Sequence, residues 1–479
     1  MEIEKNNLDD LLQLAGHEEP KEKSYEERIK DAFMRLTYRN PKDWDNATEL
    51  LVEYIKKKIY IYTTRSDTKS ETWIYKEGIY VPEGKAMIKE MLRKVLDEAY
   101  SQFVFNRVMD KIEPDTHIDA DEFFATNYKW EIPVLNGILN IQTLELSPFD
   151  PEKIFFSKIN AEHILGQTCP NIDQFLRDVL AQPEDIDVFY EMTGFCLLKE
   201  YTYEKAFMMV GDGRNGKGKS IELLKRLLGP ENCCSIPLTG LVPESFEISY
   251  LYNKMANLAG DIGSRDLKDP SMFKSLTGRD LVSGKRKFLH PISFENYAKF
   301  VFACNKLPMV YDMSRGFWDR WVLLEYPFTF VSQKEYDSTI DTKLLKIRDP
   351  YIIENIVTLK EMSGFLNMAL LGLNRLIQNG RFSQTQGTEE VKSTWIRKSN
   401  SFVAFCNDHI EEDREGILLK ADLRKRFTDY CKAHKLVNVS PHVIKRTLEE
   451  NYGVWDDKRK VFGRGEEYHH VWISIKMKD

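Results

Sequence analysis

The apolar positions change period along the chain, and each change marks a different kind of element. Residues 1 to about 24 are polar and charged with little periodicity, which predicts a mobile arm around one short amphipathic stretch, Leu8 to Leu14. From about 25 to 130 the signal is mixed. Trp73-Ile-Tyr75 and Ile79-Tyr-Val81 flank Lys76-Glu77-Gly78 as a hairpin, and Lys85 to Tyr100 follows at helical spacing. Ile132 to Leu135 and Ile138-Leu139 flank Asn136-Gly137, a pair that favours a tight hairpin turn. Helical segments then run from about Asn171 to Leu198.

An apolar run, Phe207-Met208-Met209-Val210, opens a longer block in which similar runs recur at Met255 to Ala259, Ala298 to Ala303 and Trp321 to Leu324. Helical or loop segments separate them, so the fold class is α/β, with a mostly parallel sheet flanked by helices. A helix over about Met362 to Gln378, ended by Asn379-Gly380, closes the block, and Ser383 to Thr388 reads as a linker. The tail has helices near Ser399 to Cys406, Lys420 to His434 and Pro441 to Glu450. Strands follow around Val454 and Tyr468 to Ile475, with a tip at Gly463-Arg-Gly-Glu466. Three helices and a two-stranded wing suggest a winged helix, a nucleic-acid module; a small protein-docking domain has the same outline.

With 479 residues, 30% charged and 42% hydrophobic, the chain can bury the cores of two to four domains. It has no run of about 18 apolar residues and no basic-then-apolar N-terminus, so a cytoplasmic protein without a membrane partner is expected. The seven cysteines (Cys169, Cys196, Cys233, Cys234, Cys304, Cys406, Cys431) form no C-x-x-C pair, and the nine histidines do not fall beside them at metal-ligand spacing. They read as reduced, mostly buried thiols. A net charge of −7 is not that of a general duplex binder, so any DNA contact must be local. Two concentrations qualify: Lys285-Arg286-Lys287, and the set Arg424-Lys425-Arg426, Lys445-Arg446 and Lys458-Arg459-Lys460.

Candidate chemistry sits at the end of the first apolar run. Gly211-Asp212-Gly213-Arg214-Asn215-Gly216-Lys217-Gly218-Lys219-Ser220 is a glycine-rich turn entering a helix, the arrangement that closes backbone N–H groups on a triphosphate and adds the helix's positive end. Two registers are open. A strict G-x-x-x-x-G-K-[ST] match runs from Gly213 to Ser220, with Lys219 on the phosphates and Ser220 on magnesium. The frame from Gly211 to Gly218 makes Lys217 the phosphate lysine; it begins where the strand ends and leaves Ile221, Leu223, Leu224, Leu227 and Leu228 as an inward stripe. Lys217 is favoured, at the cost of a hydroxyl ligand for magnesium, which water, Ser220 or an acid would have to replace.

An ATPase also needs an acid near magnesium, a polar group at the γ-phosphate and a cation for transition-state charge. Met255-Ala-Asn-Leu-Ala-Gly-Asp261 ends an apolar strand in an acid, and Lys299-Phe-Val-Phe-Ala-Cys-Asn305 delivers an amide to the same edge. Arg315 and Arg320 follow shortly after, where a neighbouring subunit's nucleotide could lie. Between acid and amide, a basic turn bearing Lys285, Arg286, Lys287, Phe288 and His290 could track phosphates and stack on bases of a single strand.

In this order the motifs resemble the superfamily III helicases, within the phage and plasmid primase C-terminal family related to the poxvirus primase-helicase. The resemblance runs from about Trp73 onward and includes Gly194-Phe-Cys-Leu, Asn253-Lys-Met-Ala-Asn-Leu-Ala-Gly-Asp-Ile, Phe273-Lys-Ser-Leu-Thr-Gly-Arg-Asp, Ala303-Cys-Asn-Lys-Leu-Pro308 and Phe317-Trp-Asp-Arg-Trp. It implies a hexameric AAA+ ring that hydrolyses ATP with Mg2+ to translocate on single-stranded DNA and unwind forked duplex, in a virus, plasmid or integrated mobile element. It also implies the frame G-x-G-x-N-G-K with Lys217, Asp261 as the Walker B acid, Asn305 as sensor, Lys287 and its neighbours as channel hairpin, and Arg320 ahead of Arg315 as finger. Gly218 departs from the family's hydroxyl, and a second Walker B acid is missing.

The domain plan that follows is an arm over 1–24, an N-terminal α/β region over 25–130, and a helical collar over 131–200. A helicase core over 201–345, closing helices and linker over 346–395, and a winged helix over 396–479 complete it. Asp119-Ala-Asp121 matches a primase-like D-x-D but reads as a pair of helix-start acids, so priming would come from a separate primase or polymerase. An origin-binding initiator or loader ATPase is the second reading. A nucleotide kinase is the third, disfavoured by the extra domains.

Overall fold

The computed structural model describes residues 23–66, 69–124, 128–243, 245–260, 267, 269–286, 289–310, 312, 314–384, 386–434, 436, 438–461 and 467–478. It divides into two units, with the boundary at His163–Ile164, inside the stretch read from sequence as one collar domain.

In the first unit, α1 (Tyr25–Thr37) starts at Ser24, whose side chain and Glu27 form a reciprocal capping box, and its stripe of Ile29, Phe33 and Leu36 is buried. Helices α2 (Trp44–Lys58), α3 (Gly84–Leu96) and α4 (Gln102–Asp115) close a core of Leu50, Leu51, Ile55, Ile88, Leu92, Val108 and Ile112 around it. Strands β1 (Ile61–Ser66), β2 (Lys69–Lys76) and β3 (Ile79–Val81) form an antiparallel sheet, with the expected β2–β3 hairpin. Asp119 accepts from the Asp121 N–H at 2.8 Å at the start of α5 (Ala120–Phe124), the local role expected of that acid pair.

Strands β4 (Glu131–Val134), β5 (Gly137–Asn140) and β6 (Leu146–Ser147) follow. Val134 pairs with Gly137, so the β4–β5 loop is Leu135-Asn136 and not Asn136-Gly137. The Asn136 side chain is thereby freed to clasp both the N–H and the C=O of His163, at 3.0 Å each.

In the second unit, helices α6 (Pro170–Val179) and α7 (Pro183–Leu197) lead to a five-stranded parallel sheet. Its order is β13 (Trp321–Glu325), β7 (Ala206–Val210), β12 (Lys299–Cys304), β9 (Ala256–Ala259), β8 (Cys233–Cys234). Every residue of β7, β9 and β12 is buried, which is why those strands read as unbroken apolar runs: helices cover both faces. In register, Val210 stands abreast of both Cys304 and Glu325 at the sheet's C-terminal edge. Helix α8 (Lys217–Leu228) follows β7, and α9 (Ser271–Thr277) precedes the antiparallel hairpin of β10 (Leu281–Arg286) and β11 (Leu289–Glu295).

After α10 (Arg315–Trp318) and β13 come β14 (Thr329–Val331), α11 (Gln333–Asp337), β15 (Leu345–Ile347), α12 (Ile352–Ile356) and the long α13 (Leu359–Asn379), ended by Gly380 as expected. Ser383 is not part of a loose linker. Its N–H and hydroxyl bind the fully buried Glu191 carboxylate at 2.8 and 2.5 Å, and Arg375 completes that site at 2.7 Å. Helix α14 (Thr388–Ser399) packs Trp395 against Trp318 and Trp321, with ring centroids 5.8 and 4.9 Å apart, and donates its indole N–H to Pro308 O at 2.8 Å.

The tail runs α15 (Ser401–His409), β16 (Ile410–Leu419), α16 (Lys420–Ala433), α17 (Pro441–Tyr452), β17 (Trp455–Lys460), β18 (Tyr468–Met477) over a core including Phe402, Phe405, Phe427, Leu448 and Ile475. Its antiparallel sheet has three strands in the order β16-β18-β17, one more than the sequence suggested. Strand β16 was hidden by Glu411-Glu-Asp-Arg-Glu415, charges tolerated because the strand shifts register between Glu412 and Ile417 and leaves them near solvent. No described helix is long and apolar enough to cross a membrane. No disulfide joins the cysteines among the described residues, and burial pushes Cys169, Cys196 and Cys406 up to about 12.

Candidate functional site

Strand β7 ends at the sheet edge, and the chain turns through Gly211 to Gly216 into α8. Two glycines make that turn possible. A Cβ on Gly211 would lie 2.3 Å from Tyr326 O, and Gly216 has φ +94 with a virtual Cβ 2.5 Å from Val179 Cγ1. Arg214, also left-handed at φ +59, offers its C=O to the Phe330 N–H at 2.7 Å, and Asn215 donates to Tyr326 O at 3.2 Å. The loop is therefore pinned from outside, while its inner side borders a cavity of about 970 Å³. Gly216 offers no side-chain cap to α8, and of the first-turn N–H groups that of Lys217 points to Asn215 Oδ1 at 3.5 Å, a long contact that a bound anion could replace.

Lys217 is the first residue of α8 and only 6% exposed. Its ammonium donates to Gly211 O at 2.5 Å, Asp212 O at 3.1 Å, Asn215 Oδ1 at 3.0 Å and Asn305 Oδ1 at 3.1 Å. Asn305, directly after β12, thus meets the lysine from the neighbouring strand. Lys219 also borders the cavity, where it pairs with Glu222 at 3.2 Å and is more exposed than Lys217. A Cβ on Gly218, which also borders the cavity, would meet nothing within 4 Å.

Ser220 does not fit the magnesium role held open for it. It is fully buried, outside the cavity lining, with its Oγ enclosed facing the Tyr326 phenol without meeting hydrogen-bond geometry.

Gly260, after β9, borders the cavity; Asp261 lies outside the described residues. Lys287 and Phe288 also lie outside them, as do the side chains of Arg286 and His290, while Lys285 is exposed at the end of β10. Among the described residues no group of three His, Cys, Asp or Glu could hold a metal ion.

The two arginines differ sharply. Arg315 is 84% exposed, with Asp319 at 3.3 Å. Arg320 is 15% exposed and engaged in its own chain, donating to Thr277 Oγ1 at 2.8 Å, Glu204 Oε2 at 3.1 Å and Gly316 O. It precedes β13, and its C=O binds the N–H of Ala206 at the start of β7, so it sits at the sheet edge opposite the chain's own loop.

That same far edge holds Lys299, whose ammonium donates to Tyr297 O at 2.7 Å and to Leu198 O, above the rings of Phe195 and Tyr201. Complete burial pulls it down to about 7. The cavity's second wall was invisible in the sequence: Phe175 and Val179 of α6 read as ordinary helix core, and Phe330, Arg348 and Asn355 come from short elements with no motif.

A buried strand, glycine turn and helix enclosing a lysine and an amide from the adjacent strand form an arrangement suited to receiving a phosphate group. Residues 26–181 match the family described as D5 N terminal like, and residues 209–320 match a family of unknown function, DUF5906. A protein of Acanthamoeba polyphaga mimivirus that carries a provisional helicase name, L207/L206, is 22% identical over 412 residues, 81% of this chain. The chain spans about two fifths of that protein (41%). Of solved structures, the apo C-terminal region of NrS-1 aligns at 13% identity and TM-score 0.44, covering 90% of this chain and 99% of that one. A JCV helicase aligns at 14% identity and TM-score 0.28, over 78% of this chain and 86% of that one. The chain is thus similar to the family described as D5 N terminal like over residues 26–181, and distantly to the mimivirus protein over most of this chain's length.

Proposed function

We propose that the chain is an ATP-dependent DNA helicase, an AAA+ motor that assembles as a hexameric ring on single-stranded DNA and unwinds forks during replication of a virus, plasmid or integrated element. The observation that carries this reading is the Lys217 ammonium meeting Asn305 Oδ1 at 3.1 Å on the border of a 970 Å³ cavity. The provisional name of the mimivirus relative supports unwinding as the use of that site. The parallel sheet, with the loop strand beside the strand that presents Asn305, supports the AAA+ assignment.

Lys217 and the N–H groups from Gly213 to Lys219 bind the β- and γ-phosphates, and the close approaches at Gly211 and Gly216 leave room for them. Asn305 orients the γ-phosphate or the attacking water. Magnesium bound with the nucleotide supplies charge neutralisation between phosphate oxygens; Asp261 is the side chain proposed to hold it through water, since Gly218 has no hydroxyl and Ser220 is enclosed. Arg315 or Arg320 acts across a subunit boundary. Arg320 must first release Glu204 and Gly316, whereas Arg315 needs only to leave an exposed partner.

Lys285 to His290 form the channel hairpin, and the α-β-α-α-β-β order of the tail supports a winged helix. The setting is the host cytoplasm, with a separate primase. Strand displacement on a labelled fork, driven by ATP and abolished in Lys217→Ala, tests the whole. ATP hydrolysis with a specific duplex footprint but no displacement would instead establish the initiator reading, which the exposed Arg424-Lys425-Arg426 run favours.

A further inference from the structure

Among the described residues four cationic side chains border the cavity, and three of them are taken up by the chain itself. Lys217 is enclosed by oxygens of the loop and of Asn305, Lys219 pairs with Glu222, and Arg214 holds the Glu335 carboxylate with both terminal nitrogens, at 3.0 and 3.1 Å. Arg348 is the fourth. It is exposed, and among the described residues its side chain has no hydrogen bond and no ion pair.

The acids on the same wall are engaged elsewhere. Asp178 takes Lys346 at 2.9 Å and Glu222 takes Lys219 at 3.2 Å. Asp349, next in the chain, has both oxygens occupied at the start of α12, one by the Tyr351 N–H at 2.8 Å and the other by Asn355 Nδ2 at 3.0 Å. An arginine on an open surface needs no partner, but this one is tied to the phosphate loop. Its N–H is held by Val331 O at 2.8 Å, Val331 stands abreast of Ile347 where β14 and β15 pair in parallel, and Phe330, beside Val331, donates its N–H to Arg214 O at 2.7 Å.

The order of the sheet decides which part of a nucleotide Arg348 would meet. Strand β7, which carries the loop, lies between β12 and β13. Asn305 arrives from the β12 side, where the γ-phosphate and the attacking water are proposed to sit. The chain reaches β14 from the other side, through β13 and Tyr326, whose C=O accepts from Asn215 at 3.2 Å. A triphosphate with its γ end at Asn305 and its middle on the loop N–H groups therefore turns its α end toward the β13 side. Lys217 and the loop serve the β- and γ-phosphates, and the α-phosphate is left for another group. A guanidinium, planar and permanently charged, matches two oxygens of a phosphate.

We propose that Arg348 grips the α-phosphate of a nucleotide bound in the same chain. The assignment rests on the reading of Gly211 to Lys219 as a triphosphate site. The α-phosphate keeps its charge and its bonds while the γ-phosphate is cleaved, so this contact is equally strong before, during and after hydrolysis. It sets affinity and leaves turnover alone.

The test is isothermal titration of the full chain with ADP and with a non-hydrolysable ATP analogue, both with magnesium, beside steady-state ATP hydrolysis. Arg348→Ala weakens both nucleotides by about 10-fold and raises KM by the same factor, with kcat within about twofold of the parent. Arg348→Lys, which keeps the charge, recovers binding to within about threefold, whereas Arg348→Trp, which can stack on a base but not hold a phosphate, does not. Unchanged affinities in Arg348→Ala would overturn the proposal, as would a loss confined to kcat or to the triphosphate analogue, or recovery by Trp and not by Lys. A parent chain that binds neither nucleotide would sink the triphosphate reading itself, whereas a parent that binds both while Arg348→Ala binds as well sinks the Arg348 assignment alone.

Discussion

Replacing Lys217 and Lys219 in turn separates two positions that differ by two residues and little in chemistry. The Lys217 ammonium is enclosed by four oxygen acceptors on the cavity border. Removing a preorganised cation aimed at developing phosphate charge costs about 2.7–4 kcal/mol in the transition state, or roughly 10²–10³ in kcat. Lys219 is 39% exposed and pairs with Glu222, its one ion-pair partner among the described residues. Such a surface pair contributes about 0.2–0.5 kcal/mol, less than threefold in rate even if all of it mattered.

Gly211 is half-buried and Asp212 exposed, so water can replace the lost donor in Lys217→Ala and the fold should lose only about 1 kcal/mol. Steady-state ATP hydrolysis with single-stranded DNA, beside thermal unfolding of each variant, is the assay. Because Asn305 shares the lysine, Lys217→Ala with Asn305→Ala should cost much less than the two single losses combined. A tenfold loss in Lys219→Ala with Lys217→Ala within threefold of the parent would refute the register and the reasoning behind it.

Further outcomes follow from neighbouring groups. Gly218→Ser has open space for its side chain and should lower the magnesium concentration needed for half-maximal hydrolysis; a higher requirement would count against a ligand position there. Gly216→Ala should destabilise by about 2 kcal/mol or more, from its left-handed φ and the clash with Val179, read as a lower Tm with weakened nucleotide binding. Lys299 stays near 7 in the folded chain but returns to 10.5 on unfolding, so between those values the unfolded chain holds more protons and stability rises with pH. The rise is at most about 1.4 kcal/mol per pH unit; Lys299→Met should remove it, and an unchanged difference in Tm between pH 7 and 9 would contradict the burial argument. Arg315→Ala should leave Tm unaltered while lowering hydrolysis only where the protein assembles, whereas Arg320→Ala should lower Tm by freeing Thr277 and Glu204, checked by scanning calorimetry across protein concentrations.

The core was legible because its strands are buried on both faces: Phe207 to Val210 and Phe300 to Cys304 have no polar residue to obscure them. The position of the turn from Gly211 to Gly216 was legible for the same reason, since a loop must hang from the end of such a strand; which lysine meets the phosphates is what the Lys217 and Lys219 substitutions decide. What escaped notice has physical causes. Strand β16 carries five successive charges, which alternation rules read as loop, and only its register shift makes room for them. Ser220 matched a motif by spacing, while packing against the Tyr326 phenol encloses its hydroxyl. Ser383 looked like linker because its partner, Glu191, lies 192 residues away, a tertiary clasp that local composition does not encode. The second cavity wall draws on Phe330, Arg348 and Asn355, side chains brought to the loop by folding alone.

Helix α14 stands between the parallel-sheet core and the tail, and although Arg397 reaches forward to Asp408, most of its named attachments run backward: Trp395 to Pro308, Thr388 to Asp319, Lys398 to Glu325. Anyone wishing to express the motor without its appendage should therefore cut beyond Asn400. Trimming the chain at Gly387, where the sequence looks most severable, would strip the indole of Trp395 from Trp318 and Trp321 and give a sticky, poorly soluble fragment whose inactivity would say nothing about catalysis.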